Sequence, residues 1–450
     1  MMNNTQITTD ELKQVIIDSS RISVDRYIDR DDYFAWCKSG LDNDFIKVIT
    51  GFRRTGKSFL LKQLKQYLIK NKNVPEENIF FINFEHDILA KNNQVEDLRK
   101  MLELFEAHIA KDGKVYLFLD EIQNVKYWEK FIRTIYDSQK DKYNIYLTGS
   151  NSSLLSGEFS TALAGRTIEM QIRSFDFKEY LKLSGVKIDS SFDKVKHKTL
   201  LERHLYRYLH WGGLPETIGR KDEEIRQYIK SLFRKVLLDD IVKRFGVEKV
   251  AVIEKLLYYI FSNIGGTTSF SNIANTLNNE GEKISVPTLQ SYAEMYEQSF
   301  ALNKIEKFEW KTKKIFSKQY KFYAVDNGLV SNINISKFGI EEKLLENIVY
   351  NVLAKKYPKI YYGRNNEDRE IDFIAPRSEN HFLKIRVSIE INAQNKKREF
   401  GNFVVTDKYL KNGKNILITL NGKNQTHNYK GSVIQEVPLL NFLLSGDYEG

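Results

Sequence analysis

The sequence predicts an α/β protein whose first half is built on a parallel β-sheet with helices on both faces. Between residues 45 and 172, short apolar runs alternate with longer segments that have helical periodicity. Several of these runs are apolar almost throughout, which is typical of strands covered on both sides. The chain has 450 residues, which is too many for one hydrophobic core, so further domains are expected after this one.

The first half is predicted to contain a lead-in followed by one sheet domain. Residues 1–30 are a polar lead-in with one short helix, and residues 31–175 form the domain. A helix is predicted to begin at Lys57, directly after the first strand. The predicted strands are residues 45–50, 79–85, 115–120, 144–149 and 167–172.

The second half is predicted to hold three further regions. Residues 176–248 are helical and form a linker or lid that is broken at W-G-G-L-P. Residues 249–335 show three helices and two strands, which is the order of elements in a winged helix. Residues 336–450 begin with a long helix and continue with strands, which predicts a second α/β domain.

The turn after the first predicted strand carries a phosphate-binding motif. Residues 51–58 read G-F-R-R-T-G-K-S and fit the pattern G-x-x-x-x-G-K-[ST]. Glycines let the backbone curl so that successive N–H groups point at phosphate oxygens, and the following helix adds its positive end. The residues predicted to contact a nucleotide are Gly51, Phe52, Arg53, Arg54, Thr55, Gly56, Lys57, Ser58 and Phe59.

Two residues of this loop have specific predicted roles. Lys57 can reach the β- and γ-phosphates of ATP, and the Ser58 hydroxyl can ligate Mg²⁺. The alternative is a strand-to-helix turn that contains a lysine by chance. Because the motif lies between an apolar run and the helical S-F-L-L-K-Q-L-K, we favour nucleotide binding with ATP and Mg²⁺ as cofactors.

An acidic pair ends the third predicted strand, in V-Y-L-F-L-D-E-I-Q-N. Asp120 can hold Mg²⁺ through its water shell, and Glu121 can act as a general base on the attacking water. The alternative is that the two acids only cap a helix that starts near Gln123. The loop upstream favours the catalytic interpretation, with Lys57 as the third catalytic residue.

Polar residues at the end of the fourth predicted strand are candidate sensors of the terminal phosphate or of the water. They are Thr148, Ser150 and Asn151, in N-I-Y-L-T-G-S-N-S-S-L-L. The alternative is a helix cap and turn before S-S-L-L. Arg166, in A-L-A-G-R-T, is a candidate arginine finger or an ordinary exposed arginine.

This set of motifs resembles the AAA+ class of P-loop ATPases: G-F-R-R-T-G-K-S, L-D-E-I-Q, L-T-G-S-N-S and L-A-G-R. It is more closely similar to a group of prokaryotic AAA-domain ATPases with a C-terminal domain of uncertain function. The stretches that carry this similarity are S-F-D-F-K-E-Y-L (174–181), Y-L-H-W-G-G-L-P-E (208–216), L-L-D-D-I-V (237–242) and K-F-Y-A-V-D-N-G-L (321–329). The resemblance implies an ATPase whose contacts with a partner depend on nucleotide.

The region at 249–335 looks like a winged helix, whose third helix can enter a DNA major groove. That helix, S-V-P-T-L-Q-S-Y-A-E-M-Y, contains Glu294 and Glu297 and neither lysine nor arginine. Such a helix is poorly suited to phosphate contacts. Contact with a protein, or a scaffolding role, is therefore favoured over DNA binding.

The tail resembles the restriction-endonuclease-like fold, in which a helix glutamate, a strand aspartate and a later E-x-K hold Mg²⁺ and a water. Glu346 and Asp372 match the first two positions. The third departs from the pattern, since the next strand offers either R-V-S, with Arg386 and Ser388, or E-I-N, with Glu390 and Asn392. We expect no lysine at these acids and favour a degenerate remnant of a nuclease over an active one.

Charge and composition complete the sequence-based expectations. The net charge is +10, but the basic residues are interspersed among acids, which favours a solvated surface over a polyanion-binding block. Cys37 is the only cysteine, so no disulfide framework is expected. The sequence shows neither a signal-peptide pattern nor an apolar run of ~18 residues, so we expect a cytoplasmic protein without a membrane partner.

The favoured function is an ATP-binding AAA-type ATPase that couples Mg-ATP binding and hydrolysis to a macromolecular partner. A protein is favoured as that partner, and DNA is the alternative. One rival is a nucleotide-gated binding module with little hydrolysis, and another is an ATP-regulated DNA-processing nuclease. The sequence leaves open whether the chain forms a homo-oligomer.

Overall fold

The computed structural model divides the chain into two compact units, Met1–Arg173 and Ser174–Gly450. Each unit has its own β-sheet. The residues that the structure describes are 7–21, 28–91, 93–155, 161–188, 190–308, 319–333, 339–364, 369–378 and 381–445.

The first unit contains a parallel sheet with the strand order β2-β3-β4-β1-β5. All the strands predicted for this half are confirmed. The second ends two residues earlier than predicted, because the Asn83 side chain accepts the Glu85 N–H at 2.8 Å and starts a turn. The strands are β1 (Ile46–Thr50), β2 (Ile79–Asn83), β3 (Val115–Asp120), β4 (Tyr143–Gly149) and β5 (Thr167–Gln171).

Helices cover both faces of this sheet, as predicted. Alternate residues of β3 show why the strands are apolar throughout. Leu117 and Leu119 pack in one core with α1, α4 and α5, whereas Phe118 packs in a second core with α2 and α3. The helices are α1 (Thr9–Ser20), α2 (Asp31–Ser39), α3 (Lys57–Lys72), α4 (Val95–His108) and α5 (Trp128–Gln139).

The second unit begins with helices, whereas the linker or lid role of residues 176–248 stays a prediction. An eight-residue π-helical segment, Val236–Lys243, directly follows α9. No helix in the described part of the chain is long and apolar enough to cross a membrane. The helices of this unit are α6 (Phe177–Leu183), α7 (Ser191–Lys196), α8 (Lys198–Trp211), α9 (Asp222–Lys235), α10 (Val250–Ser262), α11 (Phe270–Asn279), α12 (Val286–Gln298), α13 (Asn327–Ile333), α14 (Ile340–Lys356), α15 (Lys396–Asp407) and α16 (Leu439–Ser445).

The sheet of the second unit is mixed and has the strand order β13-β14-β12-β11-β10-β9-β7-β8-β6. Helices α10, α11 and α12 are followed by the antiparallel pair β7 and β8, and the short strand β6 lies between α10 and α11. The winged helix itself stays a prediction. The strand at residues 425–429 was not predicted, since Q-T-H-N-Y lacks an apolar face. The strands are β6 (Thr267–Thr268), β7 (Leu302–Lys307), β8 (Tyr320–Ala324), β9 (Tyr361–Arg364), β10 (Glu370–Ser378), β11 (His381–Ser388), β12 (Gly413–Thr419), β13 (Gln425–Tyr429) and β14 (Ser432–Pro438).

Candidate functional site

The topology of the first sheet brings the predicted motifs to one edge. Strands β3, β4 and β1 are neighbours and run parallel, so their carboxyl ends lie side by side. Thr50, Asp120 and Gly149 end these strands. In open α/β sheets, this is the edge where ligands bind.

The loop between β1 and α3 needs glycine at both ends. Gly51 has φ +145°, and a Cβ there would lie 2.2 Å from the Ile172 carbonyl oxygen, so the β5 end leaves no room for a side chain. Gly56 has φ +98° and open space around it, so its backbone conformation alone requires glycine. Arg54, between them, also has a positive φ of 65°. This conformation turns the chain sharply into α3.

Buried polar contacts hold the backbone of this loop in place. Arg30 donates to the Thr55 carbonyl at 2.9 Å and to the Arg173 carbonyl at 3.0 Å. Its guanidinium also lies 4.4 Å from the centre of the Tyr33 ring. The Thr55 hydroxyl donates to the Phe52 carbonyl at 2.8 Å, which closes the loop on itself. The loop is therefore held in shape by the protein.

Lys57 lies in the middle of this loop and is almost fully buried. Its Nζ donates to the carbonyls of Gly51 at 3.0 Å and Phe52 at 3.1 Å. The same Nζ lies 3.5 Å from Glu121 Oε1. The lysine thus joins the loop to the acidic pair that ends β3.

Asp120 is fully buried, and one of its oxygens has an unmet hydrogen-bonding need. Thr148 donates to Oδ1 at 2.5 Å, whereas Oδ2 has no hydrogen-bond partner among the described residues. Burial and the neighbouring Glu121 raise the pKa of Asp120 to about 6, against the opposing effects of Thr148, Ser58 and Lys57. A buried carboxylate oxygen without a partner, beside a serine hydroxyl, fits the oxygen ligands that Mg²⁺ prefers.

Glu121 has a left-handed backbone, with φ 56° and ψ 45°, and its carboxylate is held from several sides. Oε2 accepts the Gln123 amide at 2.5 Å and the Ser150 N–H at 3.1 Å. Burial raises the pKa of Glu121, but Lys57, Gln123, Arg53 and Ser150 outweigh burial and lower it. The carboxylate is therefore favoured in its ionised form.

The candidate sensors lie in different surroundings. The Thr148 hydroxyl is hydrogen-bonded to both acidic residues, because it donates to the Asp120 carboxylate and accepts from the Glu121 N–H at 3.0 Å. The Ser150 N–H donates to Glu121, and Asn151, the next residue in the chain, is buried. Arg166 pairs instead with Asp137, at 2.8 Å and 3.2 Å. Its role as an arginine finger stays a prediction, as does the choice among the other three.

The loop residues predicted to touch nucleotide also differ in exposure. Phe52 is buried, whereas the Phe59 side chain is 48% exposed on the first turn of α3. Arg53 donates to Glu85 Oε1 at 2.6 Å. Sequence reasoning gave no role to Glu85, Gln123 or Arg30, since each is recognisable only after folding places it against the loop or the acids.

The acids predicted in the second unit also lie together, but with a lysine among them. Nζ of Lys321, on β8, lies 3.2 Å from Glu346 Oε1, 2.6 Å from Glu370 Oε1 and 4.0 Å from Asp372 Oδ1. Tyr323 donates to Glu346 Oε1 at 2.6 Å. The expectation that no lysine would stand at these acids is wrong, because β8 supplies one from outside the strand searched for it.

Arg386 is a second cation that contacts this group of carboxylates. Its Nη1 donates to Asp372 Oδ1 at 2.6 Å, and its Nη2 donates to Glu399 Oε2 at 2.8 Å. The Val387 N–H donates to the other oxygen of Asp372, Oδ2, at 2.7 Å. The strand therefore brings Arg386 and the Val387 N–H to the acids, while the Ser388 hydroxyl donates to the Glu390 carbonyl at 3.0 Å. Glu390 lies beyond the end of the strand and is exposed, as is the nearby Asn392.

Among the described residues, no group of His, Cys, Asp or Glu has the arrangement of a metal site. In the second unit, the cations of Lys321 and Arg386 occupy the space between the carboxylates. Burial lowers the pKa of Lys321, but the three carboxylates around it outweigh burial and raise it. The cluster is a network of ion pairs in this structure.

Solved structures are similar to this chain at low sequence identity. The Walker-type ATPase PABY2304 of Pyrococcus abyssi is 16% identical, covers 68% of this chain and 96% of its own, and has a TM-score of 0.42. The Aeropyrum pernix Orc1 protein, in complex with DNA, is 12% identical, covers 73% of this chain and 95% of its own, and has a TM-score of 0.32.

Family models and sequence relatives cover most of the chain. An AAA domain matches residues 43–181, and two domains of unknown function, DUF8612 and DUF4143, match residues 202–341 and 341–440. An uncharacterized protein of Haemophilus influenzae is 31% identical over 391 residues, or 85% of this chain and 94% of its own length. MJ1544 of Methanocaldococcus jannaschii is 32% identical over 391 residues, or 86% and 83%. The chain belongs to the same family as these two proteins, and the AAA domain model matches most of its first unit.

Proposed function

We propose that this protein binds Mg-ATP at the loop of residues 51–58, hydrolyses it, and couples the cycle to a macromolecular partner. The observation that carries the proposal is the juxtaposition of Lys57 with two buried carboxylates, 3.5 Å from Glu121 and beside Asp120. A cation for phosphate, an acid for a metal and an ionised base then meet at one sheet edge.

Binding requires the lysine to change partners. Lys57 exchanges the carbonyls of Gly51 and Phe52 for the terminal phosphates, while the loop N–H groups and the start of α3 bind the remaining oxygens. Hydrogen bonds between charged groups are stronger than those to neutral carbonyls, so the exchange of the two carbonyls favours ATP, whereas the loss of the contact with Glu121 opposes it. Arg30 keeps the loop in shape while this happens.

Ser58 and Asp120 are the residues proposed to hold Mg²⁺. The Asp120 Oδ2 atom has no partner within the described chain, so it can accept a ligand without losing a hydrogen bond. Mg²⁺ bound there would neutralise charge on the phosphates as the terminal bond breaks. Thr148 keeps Asp120 oriented by occupying its other oxygen.

Glu121 is the proposed general base. It is buried, its pKa is lowered, and so it is ionised at neutral pH and able to accept a proton from water. Its left-handed backbone is unusual for a non-glycine residue, and such strain tends to be stored at functional sites.

The proposed partner is a protein, with DNA as the alternative outcome. Helix α12 presents Glu294 and Glu297 and has no lysine or arginine, and Glu297 is engaged with Lys304 at 3.1 Å. An acidic helix gives no counterion release on DNA, whereas it can dock on a basic protein surface.

The test is steady-state ATP turnover by the purified full-length chain, with and without DNA and with cell extract. Turnover that depends on Mg²⁺ and is lost in Lys57→Ala supports the proposal. Tight ATP binding without turnover would favour the rival, a nucleotide-gated binding module. Stimulation by DNA but not by extract would move the partner to nucleic acid.

A further inference from the structure

The side chain of Gln123 forms a bridge within the proposed catalytic site. Its amide nitrogen donates to Glu121 Oε2 at 2.5 Å and lies 3.3 Å from the Ser150 hydroxyl. An ionised carboxylate can only accept, so the nitrogen must face Glu121 and the amide oxygen must point away. The contact thus has one chemically allowed orientation.

The amide oxygen of Gln123 is buried and has no hydrogen-bond partner among the described residues. A Cβ at Gly149 would lie 2.6 Å from this oxygen, so the glycine at the end of β4 makes room for the amide. A buried polar atom without a partner is unusual and needs an explanation. The gain that offsets it is the contact between the amide nitrogen and Glu121.

The two oxygens of Glu121 have different neighbours. Oε1 lies 3.5 Å from Lys57 Nζ, whereas Oε2 takes the Gln123 amide and the Ser150 N–H. When Lys57 turns to the phosphates of ATP, Oε1 loses its cation. Gln123 and Ser150 do not touch the loop lysine, and they continue to hold Oε2.

We propose that Gln123 is a positioning residue that fixes Oε2 of Glu121 as the anchor and leaves Oε1 to accept the proton. The inference rests on the proposed ATPase function. In the step, the water oxygen bonds to the terminal phosphorus, its proton passes to Oε1, and the bond from phosphorus to the bridging oxygen breaks to release ADP. One oxygen is needed for orientation and the other for chemistry, and Gln123 assigns the two tasks.

The first test compares Gln123→Met with the parent and with Gln139→Met, a matched change at an exposed residue of α5. The affinity for ATP and KM are expected to stay within twofold, whereas kcat falls about 10- to 100-fold because the base is no longer oriented. Loss of the hydrogen bond also moves the acid limb of the kcat profile to higher pH. A kcat and pH profile like those of the parent would overturn the proposal.

A second measurement does not depend on turnover. Carbon-13 NMR of labelled glutamate, with the Glu121 signal assigned by Glu121→Gln, follows the titration of that carboxyl directly. Gln123→Met should raise its midpoint, and Gln123→Asn, whose shorter amide cannot reach, should do the same if the methionine variant fails to fold. Equal midpoints in all proteins would overturn the positioning role. Absence of turnover in the parent would instead contradict the proposed function, while the titration still decides this inference.

Discussion

Each unit brings two or more carboxylates together in one place, but the two units satisfy the hydrogen bonds of these carboxylates differently. Among the described residues of the first unit, no donor contacts Asp120 Oδ2, and Glu121 shares one lysine with the loop. In the second unit, Lys321 lies among three carboxylates, and Arg386 and a backbone N–H take both oxygens of Asp372. A site that awaits a ligand leaves hydrogen-bonding capacity open, whereas a structural cluster closes it. The contrast predicts opposite responses to substitution.

The largest expected effect is at the loop lysine. Lys57→Ala should abolish ATP binding, because the lysine ammonium supplies the contact with the terminal phosphates and alanine has no charged group to replace it. Isothermal titration with Mg-ATP measures this, and Lys70→Ala, at an exposed lysine of the same helix, is the control. An unchanged affinity in a folded Lys57→Ala variant would remove the basis for placing the nucleotide here.

The next effect is on turnover. Glu121→Gln should keep ATP binding and lower kcat about 10²- to 10⁴-fold, since the amide keeps the shape but cannot accept the proton. Binding is measured by titration and turnover by phosphate release. If the variant hydrolyses ATP as the parent does, the general base lies elsewhere.

Removing the central cation of the second cluster should destabilise that unit strongly. Lys321→Met removes the buried cation that contacts both Glu346 and Glu370, and losing one member of a buried ion pair costs about 3–5 kcal/mol. Hydrogen exchange of β8 and β10 amides reports the free energy of opening. Lys359→Met, at an exposed position, is the control, and equal exchange in the two variants would contradict a structural role for the cluster.

Replacing Asp120 of the first unit by a neutral residue should instead raise the free energy of unfolding. The pKa of Asp120 is raised from 3.8 to about 6, so the folded state binds more protons than the unfolded state between these values. The stability of the parent therefore falls as pH rises from about 4 to about 6 and stays lower above that. Without nucleotide, Asp120→Asn should be more stable than the parent by about 1–3 kcal/mol at pH 7.5, with no difference below pH ~4.

Hydrogen exchange of β1 and β3 amides at the two pH values checks this prediction for Asp120. The same variant should bind ATP with a weaker dependence on Mg²⁺, because the amide is a poorer metal ligand than the carboxylate. An Asp120→Asn protein that is less stable than the parent at pH 7.5 would show that the aspartate is structural. The comparison between the two units would then fail.

The smallest expected effect is none. We expect no metal-dependent cleavage of plasmid or oligonucleotide, with or without ATP, because both oxygens of Asp372 are already occupied by protein donors. Incubation with Mg²⁺ or Mn²⁺ followed by gel electrophoresis tests this. Cleavage by the purified protein that disappears in Asp372→Ala would establish a nuclease and reverse our view of the cluster.

The sequence predicted the first unit well because its signals are local. The strands are apolar on both faces, and the motif at 51–58 needs only eight consecutive residues. Lys321 could not be found in this way, since it enters the cluster from β8, about 50 residues before Asp372, through the pairing of β7 with β8 and β9. Strand β13 was missed because its residues are polar and lie at the edge of the sheet.

The contact between Lys57 and Glu121 makes ATP affinity a compromise. The Lys57 ammonium can contact either the Glu121 carboxylate or the phosphates of ATP. The measured affinity for ATP is therefore the difference in free energy between these two sets of contacts. A protein that kept its base farther from the lysine would hold ATP more tightly but would lose an ionised base poised beside it. In this arrangement, weaker binding of ATP accompanies a general base that stays ionised beside the lysine.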